Sequence, residues 1–587
     1  LTMPPAGCYR YRSANSSHRQ PLPGLSVSRA CGPAPSLARL KAKPMIHIRQ
    51  LDFTYSSGSG QKALGNICLD IEPGRYVLIC GRSGSGKSTL CRTFNGLIPH
   101  FHPGKMEGTV TVAGRPTSET LVQALFDKVA LVFQNPEAQL FSPTVKRELA
   151  FGLESLGMPA ARIERQIAAV AAELGLENLL ELDPHKLSGG QQHLVTLAAM
   201  LALKPRILVL DEPFANLDGR HVQAIRRILA RLRAEGLGIV VCEHRLRPTV
   251  ADADRIVVID RGTIVLDGPC RRVLGSDLRR YGLQVPLAVE LSRKLGLQKI
   301  HTDLQQVASE AKDIPLQEVS PSPRATGQQA GDVILSTRHL SARTGGLTIL
   351  DDINLEIQAG SCLAIVGANG AGKTTLLRHL NGLARPSGGR LLLKGKDVTR
   401  ARASALARHV GTAFQNPADQ FFKLKVSDEI AVTPRITGNL DQGWIDELAQ
   451  RFGLEKLMQR APFRLSAGEK KRVAFAAALA GKPEILILDE PTAGQDADFR
   501  EALGKTIRDL TETGHAVIII THDLEFAHSQ AGRWIVMAGG RILRQGRPEV
   551  LMADRQLMDQ AGLEPTERFL WQRYCAGKKR CLTPGPS

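Results

Sequence analysis

GRSGSGKST at 81–89 and GANGAGKTT at 367–375 share the spacing G-x-x-x-x-G-K-[ST]. Each follows an apolar run, YVLIC or CLAIV, and opens a helical pattern, which is the setting of a phosphate-binding loop. Gly81, Gly84 and Gly86, with Arg82, Ser83 and Ser85 between them, let the backbone curl until its N–H groups point at phosphate oxygens. The helix that follows adds positive potential at its N-terminus. Lys87 is placed to reach β- and γ-phosphates and Ser88, beside Thr89, to ligate Mg²⁺. The second loop offers Gly367, Ala368, Asn369, Gly370, Ala371, Gly372, Lys373, Thr374 and Thr375 for the same work. Asp211 and Asp489 end the apolar runs ILVLD and ILILD, where a second Mg²⁺ ligand belongs. Glu212 and Glu490 follow directly, and a carboxylate there can take a proton from water attacking a γ-phosphate.

These residues recur because the chain is written twice. Ser188 to Glu212 is 24 residues, as is Ser466 to Glu490, and Glu212 to His244 is 32 residues, as is Glu490 to His522. A repeat of this length means two homologous domains in tandem rather than a solenoid. The runs that carry the motifs, with GIVVCEH and AVIIITH, have no polar face. They suit a largely parallel sheet covered by helices on both sides, an α/β fold. The expected division is a leader at 1–44, domains at 45–275 and 333–555, a helical segment and Pro/Ser/Gly-rich linker at 276–332, and a C-terminal helix and basic tail at 556–587. The leader holds seven Lys or Arg and no acid, a composition that transit peptides share. It is expected to be disordered, and upstream sequence read as coding before Met45 would also account for it.

Bulk composition removes several alternatives. At 587 residues the chain is too long for a single core. No window reaches the roughly 18 apolar residues of a membrane span, so it is expected to be soluble or held at a membrane by a partner. The net charge of +19 is compatible with an anionic partner, but 4% aromatic content and no long basic block argue against nucleic acid. Ten scattered cysteines with no CxxC pair do not make a zinc or iron–sulfur site. Reduced, mostly buried thiols are expected, with Cys575 and Cys581 exposed in the tail.

LSGGQ at 187–191 resembles the signature of the ATP-binding-cassette (ABC) superfamily, and LSAGE at 465–469 a variant of it. The resemblance implies two P-loop nucleotide-binding domains, each with a largely parallel sheet core, an antiparallel β part and a helical subdomain. It implies ATP and Mg²⁺ bound between the P-loop of one cassette and the signature of the other, with hydrolysis coupled to transport. Ser188 and Gly190 would serve the site on Lys373, and Ser466 and Gly468 the site on Lys87. Gln134 and Gln415 would sense Mg²⁺ and couple to a transport partner, and His244 and His522 would contact the γ-phosphate. Tyr55 matches the adenine-stacking aromatic of the family, whereas the second half offers Arg343 or Thr344. The changes in LSAGE put Ala467 near triphosphate and Glu469 near its charge, so the Lys373 site, facing the intact signature, is expected to turn over faster.

FQNPEAQLF at 133–141 and FQNPADQFF at 414–422 are narrower signals. They resemble the Q-loops of energy-coupling factor (ECF) importers of cobalt and vitamins. That likeness implies a transmembrane coupling protein and a membrane substrate-binding subunit as partners, with the chain peripheral on the cytoplasmic face of the cell membrane. Each doubled peptide would wall a groove for a coupling helix, with Leu140, Phe141, Phe421 and Phe422 as wall candidates. The main rival is the ATPase of a conventional ABC importer. A ribosome-acting tandem cassette would resemble DEPTNHLD, which DEPFANLD and DEPTAGQD do not, and a DNA-repair cassette would want zinc-binding cysteines or a coiled-coil insertion.

Overall fold

The computed structural model describes residues 44–582 except 57–59, 61, 216, 312–330 and 496, and the side chains of 467 and 576–582 are also outside it. The expected leader up to residue 43, and nearly all of the expected linker, therefore lie outside the described residues.

Each half is organised by a six-stranded sheet. In the first half the order is Thr263–Pro269, Arg255–Asp260, Tyr76–Cys80, Gly238–Glu243, Ile207–Asp211, Val129–Val132. All neighbours are parallel except the edge strand Thr263–Pro269. The second half repeats this with Arg541–Gly546, Arg533–Ala538, Cys362–Val366, Ala516–Thr521, Ile485–Asp489 and Val410–Ala413. Successive side chains of a strand point to opposite faces, and here both faces are covered. Val77 and Ile79 pack with Leu90 and Phe94 of the helix Lys87–Phe94 and with Ile46 and Phe53. Leu78 and Cys80 enter the other layer with Leu149 and Leu197. That is why these strands read as unbroken apolar runs.

Ile46 and Phe53 belong to a four-stranded antiparallel sheet of Leu64–Ile71, Ile46–Tyr55, Gly104–Val112 and Arg115–Pro116. Leu347–Gln358, Val333–Thr344, Gly388–Leu393 and Lys396–Asp397 form its counterpart. The opposite layer of the first half is helical, with Val145–Ser155, Ala160–Leu174 and Gly189–Ala202. The second half differs in one place. Where the first has the single helix Val145–Ser155, the second has Val426–Ile430 and Val432–Thr437. Pro434 explains the break, because it has no N–H to return to the preceding turn. The two helix starts also differ. Thr144 accepts a hydrogen bond from the Arg147 N–H at 3.3 Å, whereas Lys425 supplies no side-chain cap. Thr144→Ala is therefore expected to cost about 1 kcal/mol. Chemical denaturation of the two proteins would show it, and an unchanged midpoint would mean that the tertiary packing of the helix makes the cap redundant.

Just after Gln134 and Gln415 the chain makes a single 3₁₀ turn, Pro136–Gln139 and Pro417–Gln420. The turn splits each pair of expected wall residues. Leu140 and Phe421 are 4% and 6% exposed and belong to the core, while Phe141 and Phe422 are 60% and 62% exposed. Leu140 and Phe421 are thus removed as wall candidates. The backbone just after each core residue is anchored by a nearby acid. The N–H groups of Phe141 and Ser142 donate to Glu148, and those of Phe422 and Lys423 to Glu429.

The segments that follow the two cassettes pack against each other. Leu287–Lys294 and Leu304–Glu310 place Ala288, Leu291, Leu304 and Val307 against Trp571 and Cys575 of the C-terminal helix Glu567–Leu582. The Leu287 N–H donates to Glu567 at 2.9 Å, and Arg247 of the first half pairs with Glu525 of the second at 2.8 Å. Cys575 is therefore buried rather than exposed, because its helix has an apolar partner almost 300 residues earlier. Cys581 lies outside the described side chains.

Candidate functional site

Both P-loops sit where the central strand meets its helix, and their glycines are required by space. A Cβ on Gly81 would overlap the carbonyl oxygen of Ile259, and one on Gly367 that of Met537. Gly86 and Gly372 take φ of 105° and 93° as the N-caps of helices Lys87–Phe94 and Lys373–Leu380, a region that favours glycine. Lys87 donates from Nζ to the carbonyls of Gly81 and Arg82, both at 2.9 Å, and Lys373 to those of Gly367 and Ala368 at 2.8 and 2.9 Å. Each lysine thus spans its own loop. Ser83, Gly84, Asn369 and Gly370 form the exposed tips, while Ser85 and Ala371 are buried beneath them.

Two carboxylates and a hydroxyl converge below each loop. Thr374 Oγ1 donates to Asp489 Oδ2 at 3.2 Å, and Ser88 bonds to Asp211 in the same way. The other oxygen, Oδ1, of both Asp211 and Asp489 is buried and has no hydrogen-bond partner. Burial pushes both carboxyls up, Asp489 to about 6 with the Glu490 charge adding to the effect. An all-oxygen set of hydroxyl and buried carboxylate that lacks a donor fits Mg²⁺, which takes one or two protein ligands and completes its shell with phosphate and water.

Glu212 and Glu490 come next in the chain with φ of 49° and 47°. Left-handed backbone is costly for a residue with a Cβ and clusters at functional sites. The Glu212 N–H donates to the Cys242 carbonyl at 2.9 Å and the Glu490 N–H to that of Ile520 at 2.8 Å, so the neighbouring strand holds each turn. The histidine directly follows the end of that strand. His522 Nδ1 donates to Glu490 Oε1 at 2.8 Å, whereas His244 Nδ1 stands 3.5 Å from Glu212 Oε1. Burial opposes the charge on both glutamates, but the histidine beside each outweighs it and holds the carboxyl below its usual range. Gln134 Nε2 donates to Glu212 Oε2 at 2.7 Å. Among the described residues Gln415 makes no such bond to Glu490.

Tyr55 lies over the first P-loop helix, its hydroxyl 3.1 Å from Thr89 Oγ1, with its ring edge-on to Phe53. Arg343 is exposed on the hairpin at the corresponding place. Thr89 and Thr375 are the third residues of their helices, one past Ser88 and Thr374.

Both signatures are helix starts. Ser188 caps Gly189–Ala202 and Ser466 caps Ala467–Ala480 with reciprocal bonds to the residue three further on, Gln191 or Glu469. Glu469 accepts from the Ser466 N–H and hydroxyl at 2.8 Å each. Its carboxylate is folded back on its own helix start, as the Gln191 amide oxygen is in the first half. S-x-x-E and S-x-x-Q are capping boxes, and the pattern is visible in the sequence. Gly190 is tightly packed, since a Cβ there would overlap the ring of His221, while one on Gly468 would make only ordinary contact with Gln495.

Residues beyond the expected set join the two halves. Asp218 Oδ2 accepts from the Asn369 N–H of the opposite P-loop at 3.2 Å, and Oδ1 from His221. Arg82 of the first P-loop pairs with Asp498 of the second half at 2.5 Å. Each P-loop therefore touches the start of the helix that follows Glu212 or Glu490 in the other half. A cavity of about 1110 Å³ lies at this junction, lined among others by Arg245, Arg247, Asp498, Arg500, His522 and Asp523. Asp218 ends the ANLD stretch at 215–218, and only the structure shows that it crosses over to the other half.

A family profile described as ABC transporter matches residues 64–215 and 350–493. A protein of Caldanaerobacter subterraneus subsp. tengcongensis that carries the provisional name ABC transporter ATP-binding protein TTE1589 is 35% identical over 538 residues, covering 89% of this chain and 94% of its own. One of Methanosarcina acetivorans with the same kind of name is 36% identical over 551 residues and 89% of each chain. Among solved structures, cbiO1 of Clostridium perfringens, described as part of the ABC transporter complex cbiONQ, is 33% identical. It covers 39% of this chain and 94% of its own with a TM-score of 0.34.

Proposed function

This chain belongs to the ABC transporter family as an ATP-binding protein that hydrolyses ATP with Mg²⁺, and from that premise we propose that it is the fused pair of cassettes that drives an importer of the energy-coupling factor type. The observation that carries the reading is a pair of exposed aromatic patches, one beside each FQNP turn. Phe141 stacks edge-on with exposed Phe151 at 4.6 Å between ring centres. In the second half Phe422 and Leu424 are exposed, and exposed Phe463 packs edge-on against Phe421 at 6.4 Å between ring centres. Exposed apolar patches rimmed by polar residues mark interaction sites. No helix among the described residues is long and apolar enough to cross a membrane, so a transport role needs membrane subunits to fill these patches. The cargo of such an importer would be a vitamin or a transition-metal ion, and the chain would sit peripherally on the cytoplasmic face of the cell membrane.

The site residues take the following roles in this reading. Lys87 and Lys373 exchange their loop carbonyls for phosphate oxygens, and the loop N–H groups bind the rest. Ser88, Gln134 and Asp211, and Thr374, Gln415 and Asp489, would hold Mg²⁺, which when bound neutralises charge on the β- and γ-phosphates. Glu212 and Glu490 accept the proton of the attacking water. His522 orients the Glu490 carboxylate, and both His244 and His522 face the γ-phosphate. Ser188 and Gly190 close on the Lys373 site and Ser466 and Gly468 on the Lys87 site, as the crossed Asp218 and Arg82 contacts favour. Tyr55 stacks on adenine.

Phe141→Ser with Phe422→Ser tests the docking. Losing two half-buried aromatic contacts of about 1–2 kcal/mol each should cut recovery with co-expressed membrane subunits by about tenfold or more, with ATPase activity of the detached chain retained. Undiminished recovery in the membrane fraction would remove the patches as docking sites, and recovery with ribosomes would end the transport reading.

A further inference from the structure

The two catalytic glutamates are not held alike, and the difference traces to one residue. Glu490 has three donors. Thr521 Oγ1 donates to Oε2 at 2.9 Å, and the His522 N–H and Nδ1 donate to Oε1 at 3.1 and 2.8 Å. Thr521 stands directly before His522 in the last position of its strand. In the first half that position is Glu243, directly before His244.

Glu243 is wholly buried. Its Oε1 accepts the Phe214 N–H at 3.2 Å, while Oε2 has no hydrogen-bond partner and lies 3.8 Å from His244 Nδ1. His244 Nδ1 therefore stands between two carboxyls, 3.5 Å from Glu212 and 3.8 Å from Glu243, and bonds neither at normal length. Its Nε2 is buried without a partner. Glu212 lacks the hydroxyl donor that Glu490 has, and its short bond runs to Gln134. A general base works best when a neighbour fixes its orientation, as the histidine does for Glu490.

We infer that Glu243 is a positioning residue of the first site, one that draws His244 away from Glu212 and sets the Lys87 site to hydrolyse ATP more slowly than the Lys373 site. The inference rests on reading Glu212 and Glu490 as the bases. It relocates the asymmetry of the two sites from the signature, where Glu469 is folded back, to the strand that carries the histidine.

Full-length chain with Glu490→Gln lets the first site report alone in single-turnover hydrolysis of Mg²⁺-ATP. Adding Glu243→Thr supplies the hydroxyl of the second half, and a restored hydrogen bond to the base should raise the rate by about fivefold with ATP affinity unchanged. Glu243→Gln keeps the acceptor for Phe214 and places an amide donor where Oε2 now is, so it should also raise the rate and covers a folding failure of the threonine variant. The reciprocal change, Thr521→Glu with Glu212→Gln, should slow the second site by about fivefold at unchanged affinity. A purely structural role would instead lower ATP affinity and rate together in both Glu243 variants. That result, or unchanged single-turnover rates, would overturn the inference. Parental steady-state turnover with Glu490→Gln alone would strike down the assignment of the base and the inference with it.

Discussion

Glu490→Gln is expected to lower steady-state ATP hydrolysis by about fivefold, to what the slower first site supplies, and Glu212→Gln by less than about twofold. The amide matches the carboxylate in shape but cannot take the proton of water. Its loss is felt most where the base is best oriented, and Glu490 has the Thr521 hydroxyl, the His522 N–H and His522 Nδ1 as donors. Glu212 has Gln134 and a histidine 3.5 Å away. If both sites contribute, the overall rate follows the faster one, so removing the slower base subtracts little. Steady-state kcat of the two variants at saturating ATP decides it. Equal losses would mean that the sites fire only together, and a larger loss from Glu212→Gln would reverse the assignment of fast and slow.

Trp571→Ala should be the most damaging single change outside the nucleotide sites. The indole is 2% exposed and lies in the cluster that joins the C-terminal helix to Leu287–Lys294 and Leu304–Glu310. Truncating a buried Trp costs about 3–5 kcal/mol, the lost transfer of the ring plus the cavity it leaves. The loss falls on contacts between the ends of the two cassettes, not on either sheet. Denaturant unfolding should show a lower first transition while the cassette transitions stay, and trypsin should cut at Arg293, Lys294 or Lys299. A single transition at the parental midpoint with full protease resistance would show that the cassette junction itself, through pairs such as Arg82 with Asp498, holds the halves together without the cluster.

Much of this site was legible because its chemistry is local. Lys87, Ser88, Asp211 and Glu212 lie within short motifs whose strand, loop and helix are set by neighbouring residues, and the repeat at constant spacing supplied a second reading of each. What was not legible depends on contacts distant in sequence. Leu140 and Phe141 look equivalent until a 3₁₀ turn points one inward. Cys575 sits in a basic tail and is buried only because Leu291 and Val307 reach it. Glu243 reads as one more charged residue beside a histidine, and its lack of a partner appears only when the strands are assembled. Glu469 is the reverse case, since S-x-x-E spells a helix cap and its carboxylate could have been placed from the sequence.

The lysine bridges across each P-loop bear on how nucleotide is won. Lys87 and Lys373 each tie two carbonyls of their own loop, so the curl that presents the N–H groups exists before any phosphate arrives. The ordering of some five residues, at about 1–2 kcal/mol each, is met when the chain folds and is not charged against binding. Entry of the triphosphate is then an exchange in which an ammonium trades peptide oxygens for phosphate oxygens without losing its place. Arginine is a poor substitute in that trade, because its larger planar guanidinium lacks the compact point charge of the ammonium on which the loop closes. Lys87→Arg and Lys373→Arg would keep the charge and forfeit the preorganised loop.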